Sequence, residues 1–71
     1  MKITVAGVGY VGLSLATLLS QQNDVIAYDI DRDRINLINN RVSPIKDKEI
    51  EMFFKTKKLN LQATGDYKLA F

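Results

Sequence analysis

From Ile3 to Ala6 the residues are short, largely apolar and partly β-branched, with no clean alternation. That pattern predicts a strand of a parallel sheet, buried on both faces. A cluster of glycines follows, and then Val11, Leu15, Leu18 and Leu19 recur at helical spacing, predicting an amphipathic helix from Tyr10 to about Gln21. Asn23 is suited to a left-handed stop at its end. Val25 to Tyr28 is a second short apolar run, and reaching it parallel to the first strand through a helix makes a right-handed βαβ unit.

Beyond this unit the periodicity changes twice. Asp31 is a capping residue ahead of Ile35, Ile38 and Val42, which are spaced three and then four apart, and the Asn39–Asn40 pair marks the end of that helix. Ser43-Pro44 breaks the pattern. Asp47 can cap a further helix in which Ile50, Phe53 and Phe54 form one apolar face, with Lys48, Glu49, Glu51 and Lys55 on the other. Leu59, Leu61 and Ala63 alternate with Asn60, Gln62 and Thr64, the signature of a third strand with one solvated face. Gly65-Asp66 is a turn, and Tyr67 to Phe71 begins a last helix. The expected fold is α/β: a Rossmann-like, partial parallel sheet of three strands in the order 3-2-1, with crossover helices. The first strand then has an open edge, an invitation to self-association.

Composition narrows the chemistry. The chain has 71 residues, ten Lys and Arg against eight Asp and Glu, and a net charge of +2 with the signs interspersed. This is not the one-sided basic stripe of a nucleic-acid partner. Cysteine and histidine are absent, so no thiolate nucleophile, imidazole base or Cys/His metal site is expected among these residues. Residues 3–23 carry no formal charge, but glycines and polar side chains interrupt them and their period changes partway. They read as a strand and a helix, not as a signal peptide or membrane span. A cytoplasmic protein with no membrane partner is expected.

Three of the four glycines, Gly7, Gly9 and Gly12, spell G-V-G-Y-V-G between the first strand and the first helix. In a G-x-G-x-x-G turn the first glycine permits the tight bend, the second lets a pyrophosphate approach the backbone, and the third lets helix and strand pack closely. The helix N-terminus, with the N–H groups of Tyr10 and Val11, then faces the phosphates. Asp29 lies 22 positions after Gly7, at the end of the second strand, where an acidic residue accepts from the adenosine ribose hydroxyls. Its charge repels a 2′-phosphate, which favours NAD over NADP. Arg34 can lie along the adenine or ribose edge beside it. As structure alone, the glycines would be a turn, Asp29 a strand-end carboxylate, and Arg34 a solvated charge.

M-K-I-T-V-A-G-V-G-Y-V-G-L-S, Y-D-I-D-R-D-R-I-N-L-I-N and above all R-V-S-P-I-K-D-K-E-I resemble the N-terminal domain of the bacterial UDP-glucose 6-dehydrogenase family, over nearly the whole chain. The resemblance implies that Gly7, Gly9, Tyr10, Val11 and Gly12 hold the pyrophosphate of NAD and that Asp29 and Arg34 hold its adenosine end. It also implies a parent that oxidises UDP-glucose to UDP-glucuronate with two NAD, through a thiohemiacetal and a thioester on a cysteine. The family's catalytic cysteine, lysine and aspartate have no counterpart in these residues. The chain is thus expected to be the N-terminal part of such a domain, inactive by itself. Two other readings stay open: a stand-alone dinucleotide-sensing module that controls a partner, and a dehydrogenase of another nucleotide sugar.

Overall fold

The computed structural model describes residues 2–7 and 9–71. Met1 and Val8, the latter inside the glycine motif, lie outside the described residues. Seven elements follow one another: β1 (Lys2–Ala6), α1 (Tyr10–Leu19), β2 (Asp24–Tyr28), α2 (Arg32–Asn39), α3 (Lys48–Thr56), β3 (Leu61–Thr64) and α4 (Tyr67–Ala70). The three strands form one parallel sheet in the order β1-β2-β3, which is the expected 3-2-1 read from the other edge. Ala6 lies opposite Tyr28 and Tyr28 opposite Thr64, so all three strands end together at one rim.

The pleat divides the sheet into unequal faces. Ile3 and Val5, Val25 and Ala27, and Leu61 and Ala63 share one face, and they join Leu13, Ala16, Ile38, Ile50, Phe54 and Leu59 in a single apolar cluster. On the opposite face Thr4, Ile26, Tyr28 and Thr64 are half-buried, and Ala6 and Gln62 are exposed. The short α4 reaches this second face. The Thr4 hydroxyl donates to the Ala70 carbonyl, and the Tyr28 and Phe71 rings meet edge to face at 5.6 Å. The expectation that β1 is buried on both faces is therefore corrected: it is the edge strand of a sheet with one well-covered side, and Val5 is its one buried residue among those described.

The buried stripe of α1 also differs from the expected one. Val11 is 79 % exposed, Leu18 55 % and Leu15 48 %, whereas Leu13, Ala16, Thr17 and Ser20 are buried. The cause is the close approach at Gly12, discussed below, which brings the helix so near the strands that mainly small side chains fit between them. The two buried hydroxyls stay satisfied by bonding back into their own helix, Thr17 to the Leu13 carbonyl at 2.7 Å and Ser20 to the Thr17 carbonyl at 3.0 Å. The helix ends at Leu19, short of Gln21, with Ser20 as its cap. Asn23 does not take up the expected left-handed conformation. Instead its backbone N–H and its side-chain amide both donate to the Leu19 carbonyl, each at 3.0 Å.

The left-handed non-glycine residue among those described is Arg41, at φ 59. Its turn carries Val42 out of the expected apolar stripe of α2 to 49 % exposure, while Ile38 is fully buried. The Arg41 guanidinium donates to the carbonyls of Ile38, Leu59 and Leu61. Nearby, the Asn39 side chain both donates to the Ala63 carbonyl at 2.9 Å and accepts from its N–H at 2.8 Å. Together these two residues occupy the outer edge of β3. In α3, Ile50 and Phe54 are buried as expected, but Phe53 is only half-buried. No helix among the described residues is long and apolar enough to cross a membrane.

Candidate functional site

Where β1 ends, Gly7 donates its N–H to the Tyr28 carbonyl at 2.8 Å, keeping the ladder one residue beyond the strand, and then turns at φ +82. An L side chain is strained there. A Cβ built on Gly12 would run into the Gly7 carbonyl oxygen and lies 3.7 Å from the Val5 side chain. Gly7 and Gly12 are therefore needed by the fold itself.

Gly9 is different. It is the N-cap of α1, in an extended conformation at φ −69 that any residue can adopt, and a Cβ there would meet nothing within 4 Å. Neither strain nor packing calls for glycine at this position. A helix start normally favours Ser, Thr, Asp or Asn, whose side chains satisfy the first free N–H groups. Those N–H groups have no side-chain cap in α1, and its first turn holds no acidic residue. The other three helices are capped by aspartates: Asp31 on α2, Asp47 on α3 and Asp66 on α4. The start of α1 thus combines uncompensated N–H dipoles, the positive end of a helix and open space over the backbone, which is what an anion requires.

Asp29 follows β2 directly, on the strand adjacent to Gly7, and is buried. Its backbone N–H donates to the Thr64 carbonyl at 3.1 Å, which fixes it to the rim. One carboxylate oxygen accepts from the Asp31 N–H at 2.8 Å, and the other faces Arg34 Nη1 at 3.5 Å. Arg34 also lies 3.9 Å from Asp31 through its Nε, with a side chain 42 % exposed. The β2–α2 turn is thereby wound around Asp29, holding its carboxylate and the Arg34 guanidinium as a pair. Ile30, next in sequence, is an apolar side chain that is 85 % exposed.

All seven residues singled out in the sequence thus lie at the C-terminal rim of β1 and β2. Tyr10 and Val11 occupy the first turn of α1, with side chains 60 % and 79 % exposed. What the sequence did not disclose is the partner of the Tyr10 side chain. The tyrosine faces the carboxylate of Asp47 across the cleft between α1 and α3, and the proximity of the two groups raises the Tyr10 pKa and lowers that of Asp47. Asp47 is legible as a helix cap, but its second role links residues 37 positions apart, and no local pattern encodes that pairing.

The fold and the motif have close counterparts among known proteins. Residues 1–71 match the model of the UDP-glucose/GDP-mannose dehydrogenase family, NAD binding domain. The chain is 54 % identical over 66 residues to the UDP-glucose 6-dehydrogenase of Streptococcus pneumoniae, covering 93 % of this chain and 17 % of that protein. It is 49 % identical over 73 residues to the UDP-glucose 6-dehydrogenase of Campylobacter jejuni, covering 100 % of this chain and 19 % of the relative. In structure it superposes with a TM-score of 0.87 and 35 % identity on a ternary complex of GDP-mannose dehydrogenase from Pseudomonas aeruginosa, covering 99 % of this chain and 17 % of that one. The chain therefore spans less than one fifth of the length of these relatives.

Proposed function

Because the chain belongs to the UDP-glucose/GDP-mannose dehydrogenase family, whose NAD binding domain its residues 1–71 match, we propose that it forms the pyrophosphate and adenosine subsites of a UDP-glucose 6-dehydrogenase. Gly9 carries this reading. A glycine demanded by neither conformation nor packing, at an uncapped helix start, is explained by a ligand that must approach the backbone there. Gly7 and Gly12 shape the loop, and the N–H groups of Tyr10, Val11 and Gly12 face the pyrophosphate. Asp29 accepts from the ribose hydroxyls, and Arg34 lies along the adenosine. NAD supplies the hydride acceptor, and these residues bind and orient it. UDP-glucose is the substrate favoured by the two UDP-glucose 6-dehydrogenases at 54 % and 49 % identity.

A cytoplasmic location without nucleic-acid or membrane partners accompanies this reading, and self-association through the edge of β1 is part of it. The test is calorimetric titration of NAD and NADP into the wild-type chain and Gly9→Val. Wild type is expected to bind NAD, and to bind NADP more weakly, because a 2′-phosphate near Asp29 costs on the order of 1 kcal/mol or more at surface-like dielectric. Gly9→Val should keep the circular-dichroism spectrum and lose binding. Equal NAD affinity in both forms would reduce the motif to a turn, and equal affinity for NADP would remove the ribose role from Asp29.

A further inference from the structure

In the β2–α2 turn one cation is claimed by two anions. Arg34 Nη1 lies 3.5 Å from Asp29 Oδ2, and Arg34 Nε lies 3.9 Å from Asp31 Oδ2, so two carboxylates engage a single guanidinium through different nitrogens. Neither carboxylate is free to turn away. Asp31 Oδ1 accepts from the backbone N–H groups of Asp33 at 3.0 Å and Arg34 at 3.2 Å, which holds the side chain against the helix that it caps. Asp29 is buried, and its Oδ1 accepts from the Asp31 N–H at 2.8 Å. Asp31 thus enters the turn twice, orienting Asp29 through its backbone and facing Arg34 through its side chain.

A ribose diol and a ribose 2′-phosphate make opposite demands on this arrangement. A hydroxyl donates to a carboxylate and leaves both ion pairs standing. A phosphate in the same place carries up to about two negative charges, seeks the guanidinium for itself, and must approach it beside two fixed carboxylates. The ribose role accounts for the charge of Asp29. Capping does not account for the charge of Asp31, because a cap requires only an oxygen that accepts, which Asn or Ser supplies as well.

We propose that Asp31 is a second specificity-determining residue for the dinucleotide: with Asp29 it keeps Arg34 engaged through two nitrogens and so excludes a 2′-phosphate, and loss of both charges frees the guanidinium to bind one. This rests on the reading of Asp29 as the ribose ligand. Asp29 selects by what it accepts, whereas Asp31 selects by what it repels.

The test measures NAD and NADP affinities by calorimetry for wild type, Asp31→Asn, Asp29→Asn, the double variant of these two, and the double variant with Arg34→Ala added. Asparagine keeps the cap on α2 and removes only the charge. The readout is the ratio of the two affinities, in which effects on folding or on the part common to both ligands cancel. Asp31→Asn is expected to lower the preference for NAD by about 3- to 10-fold, as removal of one like charge a few ångströms from the phosphate does at surface-like dielectric. The double variant should bind NADP at least as tightly as NAD, and Arg34→Ala should abolish that gain. Two further variants separate this charge from the cap and from net charge. Asp31→Glu, which keeps the charge and spoils the cap, should retain most of the preference. Asp33→Asn removes the same charge from the same turn, but Asp33 forms no ion pair with Arg34 among the described residues, and the ratio should move by less than about 2-fold. A ratio unmoved by Asp31→Asn, an equal shift in Asp33→Asn, or a double variant that still prefers NAD would each overturn the role of Asp31 while leaving Asp29 as the ribose ligand. A wild-type chain that binds no NAD, or binds NADP equally well, would overturn both.

Discussion

At Gly12 a methyl group would strike the Gly7 carbonyl, at Gly7 the backbone sits at φ +82, and at Gly9 neither obstacle exists. The spacing of the three glycines was legible in the sequence, but their separate causes needed coordinates, because collision and open space are properties of the folded loop. Asp29 was likewise legible from its distance to the motif. The Asp31 and Arg34 contacts around it were open to local reasoning, since they fall within one turn. The Tyr10–Asp47 pair was not, and it makes a prediction of its own. The Asp47 pKa is lowered chiefly by the nearby Tyr10 hydroxyl, and the Tyr10 pKa is raised chiefly by the nearby Asp47 carboxylate, with the charge of Glu49 acting on Tyr10 in the same direction. A depressed carboxylate stabilises the fold above its ordinary value of 3.8, and this contribution is lost as pH falls through the lowered folded value. A raised phenol stabilises below its ordinary value of 10.0, and this contribution is lost as pH rises through the raised folded value. Denaturant midpoints measured across pH should therefore be less sensitive to pH at both extremes in Tyr10→Phe than in wild type. Parallel pH profiles for the two forms would show that the pair does not titrate as a unit.

Among the elements, β2, α2 and α3 follow the sequence pattern closely because each has an unambiguous apolar run or an aspartate cap. For α1 the pattern misled in part, since Val11, Leu15 and Leu18 face outward, while Leu19 packs against the core beside a buried face built from Leu13, Ala16, Thr17 and Ser20. Small and hydroxylated residues carry little hydrophobic signal, and only the glycine-mediated approach of helix to sheet makes theirs the buried face. Asn39 marks the end of α2 as expected, yet its side chain also pairs with both the N–H and the carbonyl of Ala63, as a neighbouring strand would. Asn39→Ala removes both bonds and leaves two backbone groups of a core-facing strand without that partner. Loss of a buried hydrogen-bond partner costs about 1–3 kcal/mol per group, reduced here by access of water to the edge. Urea denaturation should show Asn39→Ala less stable by about 1–2 kcal/mol, and a midpoint equal to wild type would show that water replaces the amide without loss.

In the whole molecule these side-chain bonds make the two edges of the sheet unequal. Asn39 and Arg41 fill the outer side of β3, whereas among the described residues β1 pairs with β2 alone. Strand order was legible in the sequence as a Rossmann-like pattern. The closure of β3 was not, because it depends on side chains that sequence reasoning assigns to a helix end. Unequal edges have a consequence for assembly. If the proposed edge pairing governs association, one available edge joins a second copy through the same surface and the contact closes after two chains. A molecule with two available edges can add copies at each side without closing. Sedimentation over a range of concentrations should therefore show wild type passing from monomer to dimer and no further. A variant carrying Asn39→Ala and Arg41→Ala, with the β3 edge uncovered, should continue to larger, polydisperse species, and thioflavin binding should rise with it. If wild type itself grows beyond the dimer, or if the double variant stops there, edge pairing is not what governs its association and the asymmetry of the sheet has no such role.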